Sequence, residues 1–252
     1  MARQKWGQNF LTDGNVCRRI VDALGAGPED AVLEIGPGRG ALTRFLLDRP
    51  SLTLVELDGV LAAALREAHG SRPGFSVENA DFLKWGLPAE GSYKVVGNLP
   101  YSAGAAIIQK VLDWRCWTEA VFMVQKEVAE RIVAKPGTGD YGILSLSVQA
   151  KAEAKKLFDV YPGAFRPQPK VVSTVFRLKP LPAPLLSDEA AFFRVVHAAF
   201  RQRRKTLLNS LSHGLQAEKP VVEKALKTCG INPEARAETI PLDKYEALSR
   251  LL

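Results

Sequence analysis

Asn98-Leu99-Pro100-Tyr101 packs the most chemistry into the fewest residues of this chain. The Asn amide offers an acceptor oxygen, the backbone around the proline offers a carbonyl, and the Tyr ring offers a flat face. Two acceptors and a ring fit one kind of target, an exocyclic NH₂ on a planar heterocycle. The tetrad follows Tyr93-Lys94-Val95-Val96-Gly97, an apolar run of strand length. It therefore stands where a strand of an open α/β sheet empties into a loop, the place where such sheets bind ligands. Alone, the four residues also read as an ordinary loop exit, because Asn and Pro both favour turns.

The elements that must position this loop lie upstream. Ala31-Val32-Leu33-Glu34-Ile35 reads as a buried strand, Gly36-Pro37-Gly38-Arg39-Gly40 as a glycine turn, and Ala41 to Leu47 as a helix. Glycines let a nucleoside lie against the backbone at a helix N-terminus. A second strand, Leu52 to Glu56, ends in a carboxylate about 20 residues after Gly36, where an acid can bond ribose hydroxyls. The glycine pattern alone fits either NAD or S-adenosylmethionine. A third strand, Phe75 to Glu78, runs into Asn79-Ala80-Asp81-Phe82-Leu83, where Asp81 can bond an adenine amine. An amine-binding loop after the fourth strand has no use in NAD chemistry, which favours S-adenosylmethionine.

Two further stretches flank this half-fold. Lys5-Trp6-Gly7-Gln8-Asn9-Phe10-Leu11 is a shaped arm, followed after Asp13 by a helix with Val16, Ile20, Val21 and Leu24 on one face. Phe165-Arg166-Pro167-Gln168-Pro169-Lys170 is stiffened by alternate prolines before a last strand, Val171 to Phe176. Between them, 105–114 reads as a helix, 120–124 as a buried strand and 128–133 as the start of another helix, with Trp114 and Trp117 as core residues. Leu181-Pro182-Ala183-Pro184 reads as a linker. Beyond it, Ser187 is expected to cap one long helix striped by Phe193, Val196, Phe200, Leu207 and Leu211 as far as Gly214. Arg201, Arg203, Arg204 and Lys205 interrupt that stripe and are the best phosphate-binding candidates, although such a run is also the composition of a solvated face. Helices are expected over 220–229 and 242–252.

With 252 residues, 46% hydrophobic and 24% charged, the chain can bury one large core and a small second one. The net charge of +7 is spread over both parts and favours a polyanionic partner. No apolar leader follows Met1 and no run approaches membrane-spanning length, so a soluble, cytoplasmic protein is expected. Cys17, Cys116 and Cys229 lack metal-ligand spacing and read as reduced thiols, and His69, His197 and His213 have no partner at ligand spacing; no metal is expected.

Gly7-Gln8-Asn9-Phe10-Leu11, Glu34 to Gly40, Asn79 to Leu83 and Asn98 to Tyr101 occur here in an order that resembles the ribosomal RNA adenine dimethyltransferases. The likeness continues through Gln125 to Arg131, Phe165 to Ser173 and Phe200 to Leu208, and the last block resembles the small-subunit branch more than the large-subunit one. The resemblance implies a class I S-adenosylmethionine-dependent, Rossmann-like α/β sheet of seven strands over 1–180, and a small all-helical RNA-binding domain over 181–252. It implies donor contacts at Asn9, Leu11, Gly36, Gly38, Glu56, Asp81 and Asn98. Asn98, Leu99, Pro100 and Tyr101 would hold the target adenine, Phe165 would stack on it opposite Tyr101, and Lys170 would touch phosphate. The implied reaction dimethylates two adjacent adenosines near the 3′ end of small-subunit rRNA, by a monomer acting on RNA or a precursor particle. A large-subunit methyltransferase, or an assembly factor acting mainly by RNA binding, is the alternative.

Overall fold

The computed structural model describes residues 9–202 and 204–252, so Lys5 to Gln8 of the arm and Arg203 of the basic run lie outside the described residues. The chain divides into two compact units: one takes the residues up to Ala129 together with Glu153–Pro180, the other Glu130–Ala152 together with Leu181–Leu252. This differs from a division at 180/181 by one inserted segment. Ala134, Tyr141, Leu146 and Ala150 cluster with Phe192, Val195, Leu211 and Tyr245, so the segment's apolar residues belong to the helical core.

In the first unit β1 (Phe10–Leu11) leads into α1 (Gly14–Leu24). Asp13 caps α1 by accepting from the amides of Asn15 and Val16, and Gly25 stops it at φ 57°. Cys17, Ile20, Val21 and Leu24 form its buried face. β2 (Ala31–Ile35), β3 (Ser51–Glu56), α2 (Gly59–His69), β4 (Phe75–Asn79), β5 (Tyr93–Asn98), α3 (Gly104–Leu112) and β6 (Trp117–Gln125) follow. After α4 (Lys126–Val133), which runs into the segment of the second unit, and α5 (Ile143–Gln149), which lies in that segment, come β7 (Ala152–Val160), β8 (Phe165–Arg166) and β9 (Ser173–Pro180). The large sheet has the order β4-β3-β2-β5-β6-β9-β7, with β9 antiparallel to β6 and the strands from β4 to β6 parallel. β7 was not legible as a strand, since Lys155 and Lys156 interrupt its alternation on exposed positions. Trp114 and Trp117 are buried as expected.

The expected helix over Ala41 to Leu47 is a correction: only Thr43–Phe45 forms a single 3₁₀ turn. The Thr43 hydroxyl turns inward and donates to the buried Glu34 carboxyl at 2.7 Å, pinning the segment to β2 before Pro50 ends it.

Besides α5, the second unit holds α6 (Glu189–Phe200), α7 (Leu207–Leu215), α8 (Lys219–Thr228) and α9 (Leu242–Ser249). The single helix expected from Ser187 to Gly214 is thus two helices. Asp188 caps α6, while Ser187 instead donates to Glu246. Thr206 caps α7 by accepting from the Asn209 amide, so the basic run becomes the connection. Gly214 is a crossing point within α7: a Cβ there would lie 2.6 Å from that of Ala198 on α6.

Candidate active site

The parallel register decides which residues meet. Ile35 pairs with both Val55 and Gly97, so Gly36, Glu56 and Asn98 are the next residues on three neighbouring strands, and Glu56 itself pairs with Asn79. Four motifs read separately from the sequence therefore open on one edge of the sheet.

At the glycine turn, Gly36, Gly38 and Gly40 all have positive φ. A Cβ on Gly36 would meet nothing within 4 Å, whereas one on Gly38 would lie 3.2 Å from the Phe10 ring. Gly36 thus faces open space and Gly38 is closed by the arm. Glu56 is buried; its Oε2 accepts from the Gly38 amide at 2.8 Å and its Oε1 from the Asp58 amide at 2.9 Å, which fixes the carboxylate at the end of β3. Each oxygen keeps a lone pair for a ribose hydroxyl. Behind the turn, burial pushes the Glu34 carboxyl up to about 8, aided by the nearby Glu56 charge and opposed by the Thr43 hydrogen bond.

Asp81 is half-buried, with Oδ1 accepting from the Leu83 amide at 3.0 Å. Its loop is held by a residue the sequence reading passed over. Lys110 of α3 donates to the carbonyls of Phe82, Leu83 and Trp85 at 2.7, 3.1 and 2.5 Å. Desolvation lowers the Lys110 ammonium's pKa, with Asp81 acting in the opposite direction. Leu57 and Leu83, 50% and 40% exposed, present apolar side chains beside these acids, the combination a flat base with a polar edge requires. Neither carried a sequence signal, because an isolated Lys or Leu is ordinary on a surface.

In the tetrad, the Asn98 amide nitrogen donates to the Asn9 carbonyl at 3.4 Å, which leaves Oδ1 pointing away as an acceptor. Leu99 is buried, and its amide donates to Met123 O at 3.0 Å. The Pro100 carbonyl already accepts from Ala103 and Gly104 at the start of α3. Among the described residues no backbone amide outside the strands and helices is bonded to the Leu99 carbonyl, which directly follows Asn98 and so keeps capacity beside its amide oxygen. The Tyr101 hydroxyl lies 3.2 Å from Ser173 Oγ, a contact from the first residue of β9 that spacing could not reveal.

The arm and the proline-rich segment also meet. β1 pairs antiparallel with β8, Leu11 opposite Phe165, and the Ala164 carbonyl accepts from the Thr12 amide and hydroxyl and the Asp13 amide. Phe165, however, is 1% exposed and packs in the core with Leu11 and Ile20. The pairing with Leu11 turns the ring inward. Lys170 is exposed; Arg201, Arg204 and Lys205 are exposed in the second unit. Cys17 is buried, and Cys116 and Cys229 are half-buried free thiols.

A seven-stranded sheet of this order, with a glycine turn, a terminal acid on the next strand and an acceptor-bearing tetrad, defines a class I methyltransferase. The family profile described as Ribosomal RNA adenine dimethylase matches residues 1–252. The chain belongs to that family, the S-adenosylmethionine-dependent rRNA adenine dimethyltransferases. It is 42% identical over 262 residues to the Ribosomal RNA small subunit methyltransferase A of Geobacter metallireducens, covering 100% of this chain and 95% of the relative. It is 44% identical to the protein of the same name from Chlorobium luteolum, with 100% and 90% covered. Among solved structures, the 23S rRNA methyltransferase ErmE is 32% identical at a TM-score of 0.74, covering 97% of this chain and 99% of that one. A dimethyladenosine transferase from Plasmodium falciparum, at 24% identity and a TM-score of 0.82 over 95% of each chain, shares the fold. Among the described residues no helix is long and apolar enough to cross a membrane.

Proposed function

We propose that this enzyme dimethylates two adjacent adenosines near the 3′ end of small-subunit rRNA, in the cytoplasm, as a monomer acting on RNA or a pre-30S particle. The observation that carries the choice of subunit is the full-length likeness to small-subunit methyltransferases, which exceeds the likeness to the 23S enzyme.

S-adenosylmethionine supplies an electrophilic methyl group when bound. The open face of Gly36, the fixed Glu56 carboxylate, Asp81 and the flanking Leu57 and Leu83 suit its nucleoside end. Asn9 and Leu11, anchored through the arm, are assigned to the same pocket, as is the backbone of Gly38.

Adenine's amine is a poor nucleophile because its lone pair is delocalised into the ring. Asn98 Oδ1 and the Leu99 carbonyl accept its two N–H bonds, which favours a pyramidal nitrogen with the lone pair directed at the methyl group. The sequence-based expectation of a carbonyl near Pro100 is refined here to Leu99, because Pro100 O is committed to α3. Tyr101 stacks on the base and offsets part of the cost of taking it out of its own stack. No general base is required, since the methylated nitrogen becomes acidic enough to lose its proton to water. Phe165, paired with Leu11 of the arm, is assigned to the target adenine opposite Tyr101, and Lys170, Arg201, Arg203, Arg204 and Lys205 are assigned to phosphate.

The test offers labelled S-adenosylmethionine with unmethylated small-subunit particles and, in parallel, with large-subunit RNA, followed by digestion and nucleoside analysis. Dimethyladenosine from the small subunit alone is expected. Label confined to large-subunit RNA would overturn the assignment, and tight RNA binding without label from either would favour an assembly factor.

A further inference from the structure

Arg18 and Arg44 share one aromatic ring. Their guanidinium carbons lie 5.5 and 4.8 Å from the centroid of Phe45, so two exposed cations are held side by side on a half-buried platform. Arg44 is fixed as well as exposed: its Nη2 lies 3.2 Å from where a Cβ on Gly14 would stand, at the first turn of α1. Among the described residues no carboxylate forms an ion pair with either arginine. Two of the acids close to them in sequence are engaged elsewhere, and Asp22, one turn along α1 from Arg18, forms no ion pair with it. Asp13 accepts the α1 amides, and Asp48 pairs with Arg49 at 3.3 Å. Two guanidinium groups of like charge held over one ring without a carboxylate partner repel one another, and an external anion between them would relieve that repulsion.

A third arginine is braced in the same way at the donor turn. Arg39, also exposed, stacks on Phe10 at 4.6 Å, and Phe10 is the ring that closes Gly38. Arg39 is carried by the glycine turn itself, while Arg18 and Arg44 sit on α1 and on the 3₁₀ turn Thr43–Phe45, the elements that follow the arm and the glycine turn in the chain.

We propose that Arg18 and Arg44, together with Arg39 on the glycine turn, form a phosphodiester-binding surface for the RNA strand flanking the target adenosine. Guanidinium groups braced on aromatic rings keep their planar forks free for bidentate contact with phosphate oxygens. The inference rests on the proposed RNA substrate and adds a binding surface in the sheet unit, separate in sequence from the Arg201 to Lys205 run.

The test compares wild type with the double variant Arg18→Gln/Arg44→Gln, and with a charge-matched control, Arg115→Gln/Lys155→Gln, at two other exposed positions of the same unit. Binding of an unmethylated small-subunit rRNA 3′ transcript is followed as KCl is raised, alongside calorimetric binding of S-adenosylmethionine. Loss of two phosphate contacts should lower the slope of log K against log salt by about 1.4 and weaken binding roughly tenfold near physiological salt. Donor affinity should be unchanged, showing that the variant is folded; the control should keep the wild-type slope. An unchanged slope and affinity in the Arg18/Arg44 variant, or an equal loss in the control, would overturn the proposal. Failure of the wild type to bind the transcript would instead sink the reading of the substrate. If the double variant loses donor binding, Arg18→Gln alone serves, since Arg18 does not brace α1 against Gly14; its slope should fall by about 0.7, and no fall would count against the surface.

Discussion

Replacing Lys110 by Met tests how the donor pocket is tied to the tetrad. The ammonium gathers three loop carbonyls directly after Asp81, from a helix that starts three residues after Tyr101. Hydrogen bonds to a charged donor contribute about 1.5–3 kcal/mol each when both partners are dry. Here the site is half-buried, and water can reach the freed carbonyls of Leu83 and Trp85. The net cost of ordering the loop without the lysine is then about 1–2 kcal/mol, not the sum of three bonds. Because donor binding requires the ordered loop, affinity for S-adenosylmethionine should fall roughly five- to thirtyfold by the same free-energy scale. Turnover at saturating donor should change much less, since Asn98 and Leu99 are untouched. Isothermal titration gives the affinity and single-turnover methylation gives the rate. Lys110→Arg keeps the charge but spreads it over a planar fork and should recover only part of the binding. Unchanged donor affinity in a Lys110→Met protein with a normal unfolding midpoint would refute the reasoning.

Asn98→Ala should leave most donor binding intact and reduce methylation by about a hundredfold or more, as loss of an aligned acceptor does; near-normal single-turnover rates would remove Asn98 from its role. Ser173→Ala frees the Tyr101 hydroxyl and should slow methylation a few fold without altering donor affinity, an effect that Tyr101→Phe should reproduce if the contact only aims the ring. For Glu34, both folded and unfolded states hold the proton below its ordinary value of 4.5, and between there and about 8 only the folded state does. Stability should therefore fall as pH rises through that window, by up to about 1.4 kcal/mol per unit, and level off above it. Urea midpoints from pH 5 to 9 should show this slope in wild type and a flatter one in Glu34→Gln; parallel slopes would mean the carboxyl is already ionised when folded.

Local sequence sufficed where the physics is local. The β-branched run before Gly36 makes a strand, a glycine turn follows because three positive φ angles are needed, and Asp13 caps the helix it precedes. The acids at Glu56 and Asp81 and the tetrad at Asn98 were legible because residue type and position after a strand are both written in the chain. What failed did so where a distant partner overruled local preference. Thr43 abandons a helix for the Glu34 carboxyl, Gly214 marks a crossing with Ala198 instead of a stop, and 134–150 joins a core built mostly after residue 186. The strand register that aligns Gly36, Glu56 and Asn98 belongs to the sheet, as do the burial of Phe165 under Leu11 and the grip of Lys110 on the Asp81 loop. The sequence by itself determined which groups are available and on what kind of element each sits. Only the tertiary structure decided which of them share a site, because hydrogen bonds and packing between residues tens of positions apart leave no periodicity to read.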